Sequence, residues 1–168
     1  TGVQTCALPI YLFQAVKDLP LEIDEFEFWI IGGVKDEMKD VLKRFRRPNW
    51  RVFGFIQQHK LPELIQQTSV AVFPSLQEGL AMVIPQVLSL NVPVIATTNT
   101  GAEDLLELGY DVEICEIRDS KAMSEGIMRQ HKNHQDVHCR PTRVHNELSW
   151  EEYGKRYNNF LKEFYRRT

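Results

Sequence analysis

The chain has 168 residues, 43% hydrophobic and 26% charged, with nine Gly and eight Pro. That is material for one domain with a sizeable core, and it excludes collagen-like, disordered and repeat-array chains. Twenty Lys and Arg against 23 Asp and Glu give a formal net charge of -3, so no overall cationic field favours nucleic acid or an anionic lipid surface. No apolar run approaches the ~20 residues that span a bilayer, and no charged segment followed by an apolar one opens the chain, so a soluble, cytoplasmic product is expected. Cys6, Cys115 and Cys139 are odd in number and lack C-x-x-C spacing, which predicts a reducing compartment and no disulfide framework.

The first patterned segment is Tyr11 to Val16, where Leu12, Ala15 and Val16 repeat at helical spacing before Pro20. Phe26 to Ile31 is aromatic and β-branched, ends on Gly32-Gly33, and precedes a helical stripe of Val34, Met38, Val41, Leu42 and Phe45. Trp50 to Phe55 predicts a strand, and Leu61 to Gln67 a helix with Pro62 in its first turn. Val70 to Phe73 reads as a strand closed by Pro74-Ser75, Met82 to Leu90 as a helix, and Val92 to Ala96 as a strand buried on both faces. Thr100 with Glu103 forms a capping-box pattern for a helix from Ala102 to Leu108, with Gly109 at its C-terminal turn. Tyr110 to Ile117 is a weaker strand, and a helix begins near Asp119 or Ser120. Five alternations of strand and helix with short connections predict a doubly wound α/β fold with a parallel sheet covered on both faces.

Between about Gln130 and Glu147 the pattern fades into polar residues and Pro141, which predicts a loose connection or an irregular helix. Ser149 to Glu152 forms a capping box, and Trp150, Tyr153, Tyr157, Phe160, Leu161 and Phe164 mark one face of a terminal helix that must dock on something. The expected organisation is residues 1–10 as a non-native segment, 11–130 as a Rossmann-like domain, 131–148 as a polar connection and 149–168 as an amphipathic helix.

Chemistry concentrates in Phe73-Pro74-Ser75-Leu76-Gln77-Glu78-Gly79-Leu80-Ala81-Met82-Val83-Ile84-Pro85-Gln86, where a parallel strand ends and a helix begins. Ligands of open α/β sheets bind at that carboxyl edge. Gly79 permits close backbone approach, the following helix offers amide donors suited to phosphate, and Pro85 leaves upstream amides without helical partners. Glu78, acceptor-only when ionised, suits neighbouring hydroxyls.

These residues, with Val92-Pro93-Val94-Ile95-Ala96-Thr97, Thr100-Gly101-Ala102-Glu103 and Ser149-Trp150-Glu151, resemble the C-terminal, nucleotide-sugar-binding domain of retaining GT-B glycosyltransferases marked by E-x7-E (glycosyl transferases group 1), from about Tyr11 onward. The resemblance implies one Rossmann-like half of such an enzyme. Glu78 becomes the catalytic acid that contacts the transferred sugar. Ser75, Gly79, Leu80, Ala81, Gln86, Thr100 and Gly101 bind the nucleotide-sugar, with amides of Leu80 and Ala81 as donors and Gln86 at the position of the second Glu. An amide there lacks the charge assistance that roughly doubles such a bond's strength, so weaker nucleotide affinity is expected.

The resemblance implies no cofactor and no metal beyond a UDP- or GDP-linked donor as substrate. The acceptor, a glycan, a lipid-linked molecule or a small molecule, is reached through an N-terminal domain, and the full-length protein can associate peripherally with a membrane. The family's first strand, with its Arg/Lys loop, has no counterpart. Residues Thr1 to Ile10 stand in that place and read as translated adaptor sequence. A truncated piece is therefore expected, one that binds donor weakly and does not turn over.

Other readings compete. Glu78 also fits a helix N-terminal carboxylate, Ser75 a turn residue, and Thr100-Gly101 a plain helix cap. Gly32-Gly33 lacks G-x-G-x-x-G spacing and reads as a tight strand-to-helix turn. His131, His134, His138, Cys139 and His145 match no zinc spacing and read as a solvated segment. Lys43-Arg44-Phe45-Arg46-Arg47 reads as a helix end with cations on its dipole rather than a nucleic-acid site. A non-catalytic flavodoxin-like binding or regulatory module is the alternative class.

Overall fold

The computed structural model describes residues 10–20, 26–79, 81–133 and 150–166. The expectations for residues 1–9, for Leu80 and for most of the polar connection, His134, His138, Cys139, His145 and the Ser149 cap included, lie outside the described residues. So does the side chain of Trp150.

Among the described residues five short strands alternate with helices. These are α1 (Ile10–Lys17), β1 (Phe28–Ile31), α2 (Asp36–Phe45), β2 (Trp50–Gly54), α3 (Leu61–Ile65) after a 3₁₀ turn, β3 (Ala71–Phe73), α4 (Val83–Leu88), β4 (Val94–Thr97), α5 (Ala102–Glu107), β5 (Val112–Cys115), α6 (Ser120–Asn133) and α7 (Trp150–Arg166). All strand pairs are parallel, and helices cover both faces, as the alternation predicts.

Side-chain alternation along each strand divides the core in two. Val94 and Ala96 of β4 face a cluster with Ala71, Phe73, Val112, Ile114 and the apolar stripes of α4 and α5. Ile95 points the other way, into a cluster with Val72, Cys115, Met123 of α6 and Leu12, Phe13, Ala15 and Val16 of α1. β4 is buried at all four residues, which is why its sequence is a continuous apolar run rather than an alternating one.

The sheet is split. Among the described residues β1 pairs with β2 alone, while β3, β4 and β5 form a separate sheet in that order. Among the described residues, β1 and β3 therefore each have one edge without a paired strand. Both send side chains, Phe28 and Ile30 from one and Val72 from the other, into the same cluster beneath α1. A two-stranded sheet has little stability of its own, so α1 and α2 supply most of the packing that holds β1 and β2.

Three expectations change. Helix α6 runs to Asn133, beyond the point where polar composition suggests an end, because Met123, Gly126 and Gln130 continue its buried face. The Thr100–Glu103 capping box does not form: Gly101, in a left-handed conformation (φ 73°), is the residue that precedes α5. Among the described side chains of the α7 stripe, Tyr153, Tyr157 and Phe160 belong to neither core cluster and are more than half exposed, the two tyrosines stacked on each other at 6.3 Å.

Candidate functional site

The carboxyl ends of β3 and β4 open into a cleft of ≈ 570 Å³ lined by Leu76, Gln77, Glu78, Gly79, Asn99, Gly101 and Ile117. It lies at the edge where the parallel-sheet argument locates ligands. Two loops build it, one after each strand, and they are tied together at several points. The Thr97 hydroxyl donates to the carbonyls of Ser75 and Phe73. The Glu78 amide donates to the Asn99 carbonyl at 2.9 Å, and the Ala81 amide to the Thr100 carbonyl at 3.1 Å.

Glu78 is half-buried. Ser75, only 1% exposed, donates its hydroxyl to Glu78 Oε1 at 3.2 Å, leaving acceptor capacity on a carboxylate that lines the cleft. Among the described residues no cation lies within ion-pair reach of it. Gly79 and Gly101 line the same space. The structure thus brings Glu78, Ser75, Gly79 and Gly101 together.

It does not do so for the rest. Ala81 cannot lend its amide to a ligand, because that amide is bonded to Thr100, and the residue is 4% exposed. The Ile84 amide is likewise taken, by the Ala81 carbonyl at 2.8 Å. The free upstream amides expected from Pro85 are thus absent at residues 78, 81 and 84. Thr100 is buried with its hydroxyl on the Thr97 carbonyl at 2.8 Å, a structural bond rather than a ligand contact. Gln86 is exposed on α4 and is not part of the cleft lining. Among the described residues no group of three or more His, Cys, Asp or Glu side chains is placed to hold a metal ion.

Sequence reasoning passes over Asn99 and Ile117. Asn99 adopts a left-handed backbone (φ 69°), which Asn tolerates better than most residues; its place before Thr100-Gly101 in a loop at a strand's carboxyl end is the signal that could have found it. Gly101 is the second left-handed position of this loop, and Gly101→Ala is expected to lower stability by about 1–2 kcal/mol through the Cβ penalty, measured as a lower urea midpoint.

The cleft lies at the strand ends of a doubly wound parallel sheet, the edge at which α/β domains of this kind bind ligands. Residues 9–133 match the glycosyl transferases group 1 family, and the chain belongs to that family. It is similar to the capsular polysaccharide biosynthesis glycosyltransferase CapM of Staphylococcus aureus, with 38% identity over 106 residues, covering 56% of this chain and 27% of that protein. It is also similar to the O-antigen chain mannosyltransferase B of Escherichia coli, with 30% identity over 100 residues, 56% of this chain and 26% of that one. The chain thus spans about a quarter of the length of these curated relatives. Among solved structures, sucrose-phosphate synthase from Thermosynechococcus elongatus superposes with a TM-score of 0.69 at 16% identity, over 95% of this chain and 42% of that one, a likeness of fold. Among the described residues no helix is long and apolar enough to cross a membrane.

Proposed function

We propose that the cleft binds the sugar end of a nucleotide-sugar and that the chain is the donor-binding part of a retaining glycosyltransferase of the E-x7-E kind. The observation that carries this reading is a carboxylate, Glu78, lining an open strand-end cleft with Gly79 and Gly101 and oriented by Ser75. Ser75 positions, Glu78 accepts bonds from sugar hydroxyls and stabilises positive charge developing on the sugar in an oxocarbenium-like transition state, and the leaving diphosphate takes the acceptor's proton. Such a site acts by orientation and electrostatic preorganisation. Leu80 and Gln86 remain candidates for diphosphate and ribose contacts, with a UDP or GDP leaving group. No further cofactor enters the reaction.

The same proposal includes one additional parallel strand beside β1 and β3, each of which has an edge without a paired strand among the described residues, and an acceptor domain. The relatives' names, a capsular polysaccharide glycosyltransferase and an O-antigen chain mannosyltransferase, support a glycan as acceptor; a lipid-linked acceptor, a cytoplasmic site of action and peripheral contact with the membrane belong to the proposal alone.

Calorimetric titration of the 168-residue chain with GDP-mannose and UDP-glucose, each against its nucleoside diphosphate, tests the proposal. The affinity gained from the sugar should fall about 10- to 100-fold in Glu78→Ala, the range for losing hydrogen bonds to a charged group. Equal heats for the two proteins would remove Glu78 from the site.

A further inference from the structure

Glu103 sits in the first turn of α5, and its carboxylate does not cap that helix. It accepts the backbone amide of Asn99 at 3.1 Å, while the carbonyl of the same residue accepts the amide of Glu78 at 2.9 Å. One peptide segment thus stands between two acids: held on its amide side by Glu103, it holds Glu78 on its carbonyl side. The next carbonyl, of Thr100, accepts the Ala81 amide. Asn99 has a left-handed backbone and lies on the exposed surface, so, unlike the buried Thr100 beside it, it is not fixed by burial. A charge-assisted bond is among the stronger local restraints available to such a loop.

We infer that Glu103 is a positioning residue for Glu78, acting through the Asn99 backbone to set where the Glu78 carboxylate stands in the cleft. The inference rests on the reading of the cleft as a donor-sugar site. It assigns Glu103 no contact with the sugar itself. The loop after β4 is the ruler, Glu103 fixes its outer end, and the loop after β3 takes its position from it. With the Asn99 amide released to water, Asn99 can leave its left-handed conformation, and the Glu78 and Ala81 amides lose fixed acceptors.

Amide hydrogen exchange by NMR reads the restraint directly, without a ligand. In Glu103→Ala, exchange at Glu78 and Ala81 should quicken about 10- to 100-fold, as for one lost hydrogen bond to a charged group, with the Ile95 and Ala96 amides of β4 unchanged. Glu103→Gln keeps an acceptor oxygen in place and should restore protection to within about threefold of wild type. Glu103→Asp keeps the charge but is one methylene short; it should behave like the alanine variant, and it decides the question should the alanine variant fail to fold. Titration supplies the readout that a merely structural role would not move. The affinity ratio of GDP-mannose to GDP, or of UDP-glucose to UDP, should fall about tenfold in the alanine and aspartate variants, while affinity for the bare diphosphates holds.

Unchanged exchange at Glu78 and Ala81 would overturn the inference, as would faster exchange with an unchanged ratio. Equal affinity of the wild-type chain for each nucleotide-sugar and its diphosphate would overturn the donor-site reading itself. That result is read on the unmutated protein and so is distinct from failure at Glu103.

Discussion

Trp50→Ala is expected to cost about 3–5 kcal/mol, the range for deleting a large buried aromatic side chain. Trp50 opens β2, registers with Phe28 of β1 and is only 2% exposed. Its ring lies 4.6 Å from that of Phe28 and 5.2 Å from that of Phe13 in α1, so together with the direct Phe13–Phe28 contact it joins the two-stranded sheet to α1. Domains of this size are stable by about 5–15 kcal/mol, and the loss should lower the urea midpoint by about 2 M. Trp50→Phe is the control. The indole N–H is buried without a hydrogen-bond partner among the described residues, so phenylalanine removes an unsatisfied donor while keeping most of the ring, and about 1 kcal/mol or less is expected. A loss under about 1 kcal/mol in the alanine variant would contradict the packing of α1 on β1 and β2.

The second large effect concerns alkaline pH. Burial, with the carboxylates of Asp119, Glu113 and Glu116 nearby, pushes the Cys115 thiol from the usual 9.0 up to about 11. The folded chain therefore holds this proton more tightly than the unfolded chain does. The resulting stability is intact below pH ~9 and is lost as pH rises towards about 11. Two units correspond to about 2–3 kcal/mol. Urea melts at pH 8, 9, 10 and 11 should show wild type losing about 2 kcal/mol more than Cys115→Ala across that interval. Because both proteins share every described lysine and tyrosine, the difference isolates Cys115. Parallel pH profiles would show that the thiol is as free to ionise in the folded chain as in the unfolded one.

What the sequence made legible follows the range of the interactions involved. Strand and helix order is written locally: Val94 to Ala96 is apolar at every position because both faces are covered, and Leu12, Ala15 and Val16 repeat because one helix face is buried. That Glu78, Gly79 and Gly101 line the strand-end cleft was legible because strand-end loops face the ligand edge of any parallel sheet. The fate of the amides was not. The acceptors of the Glu78 and Ala81 amides belong to the loop after the neighbouring strand, and no spacing within residues 73–86 encodes them. The capping-box pattern misled for a related reason. It presumes an extended residue at the helix start, whereas left-handed Gly101 turns Thr100 inward to Thr97 and leaves Glu103 to find Asn99. Composition hid the end of α6, where a polar Gln130 is buried on the continuing face.

Helices α1 and α6 pack against each other, although about a hundred residues separate them in the chain. A ribosome adding ~5–20 residues per second releases α1 several seconds before its covering helix exists. During that interval the part of α1 that α6 covers must wait in water or in the keeping of a chaperone, while β1, β2 and α2 can cover the rest. Pairing of such distant segments slows folding, so this domain should mature late in synthesis and gather speed only once the segment after β5 has left the tunnel.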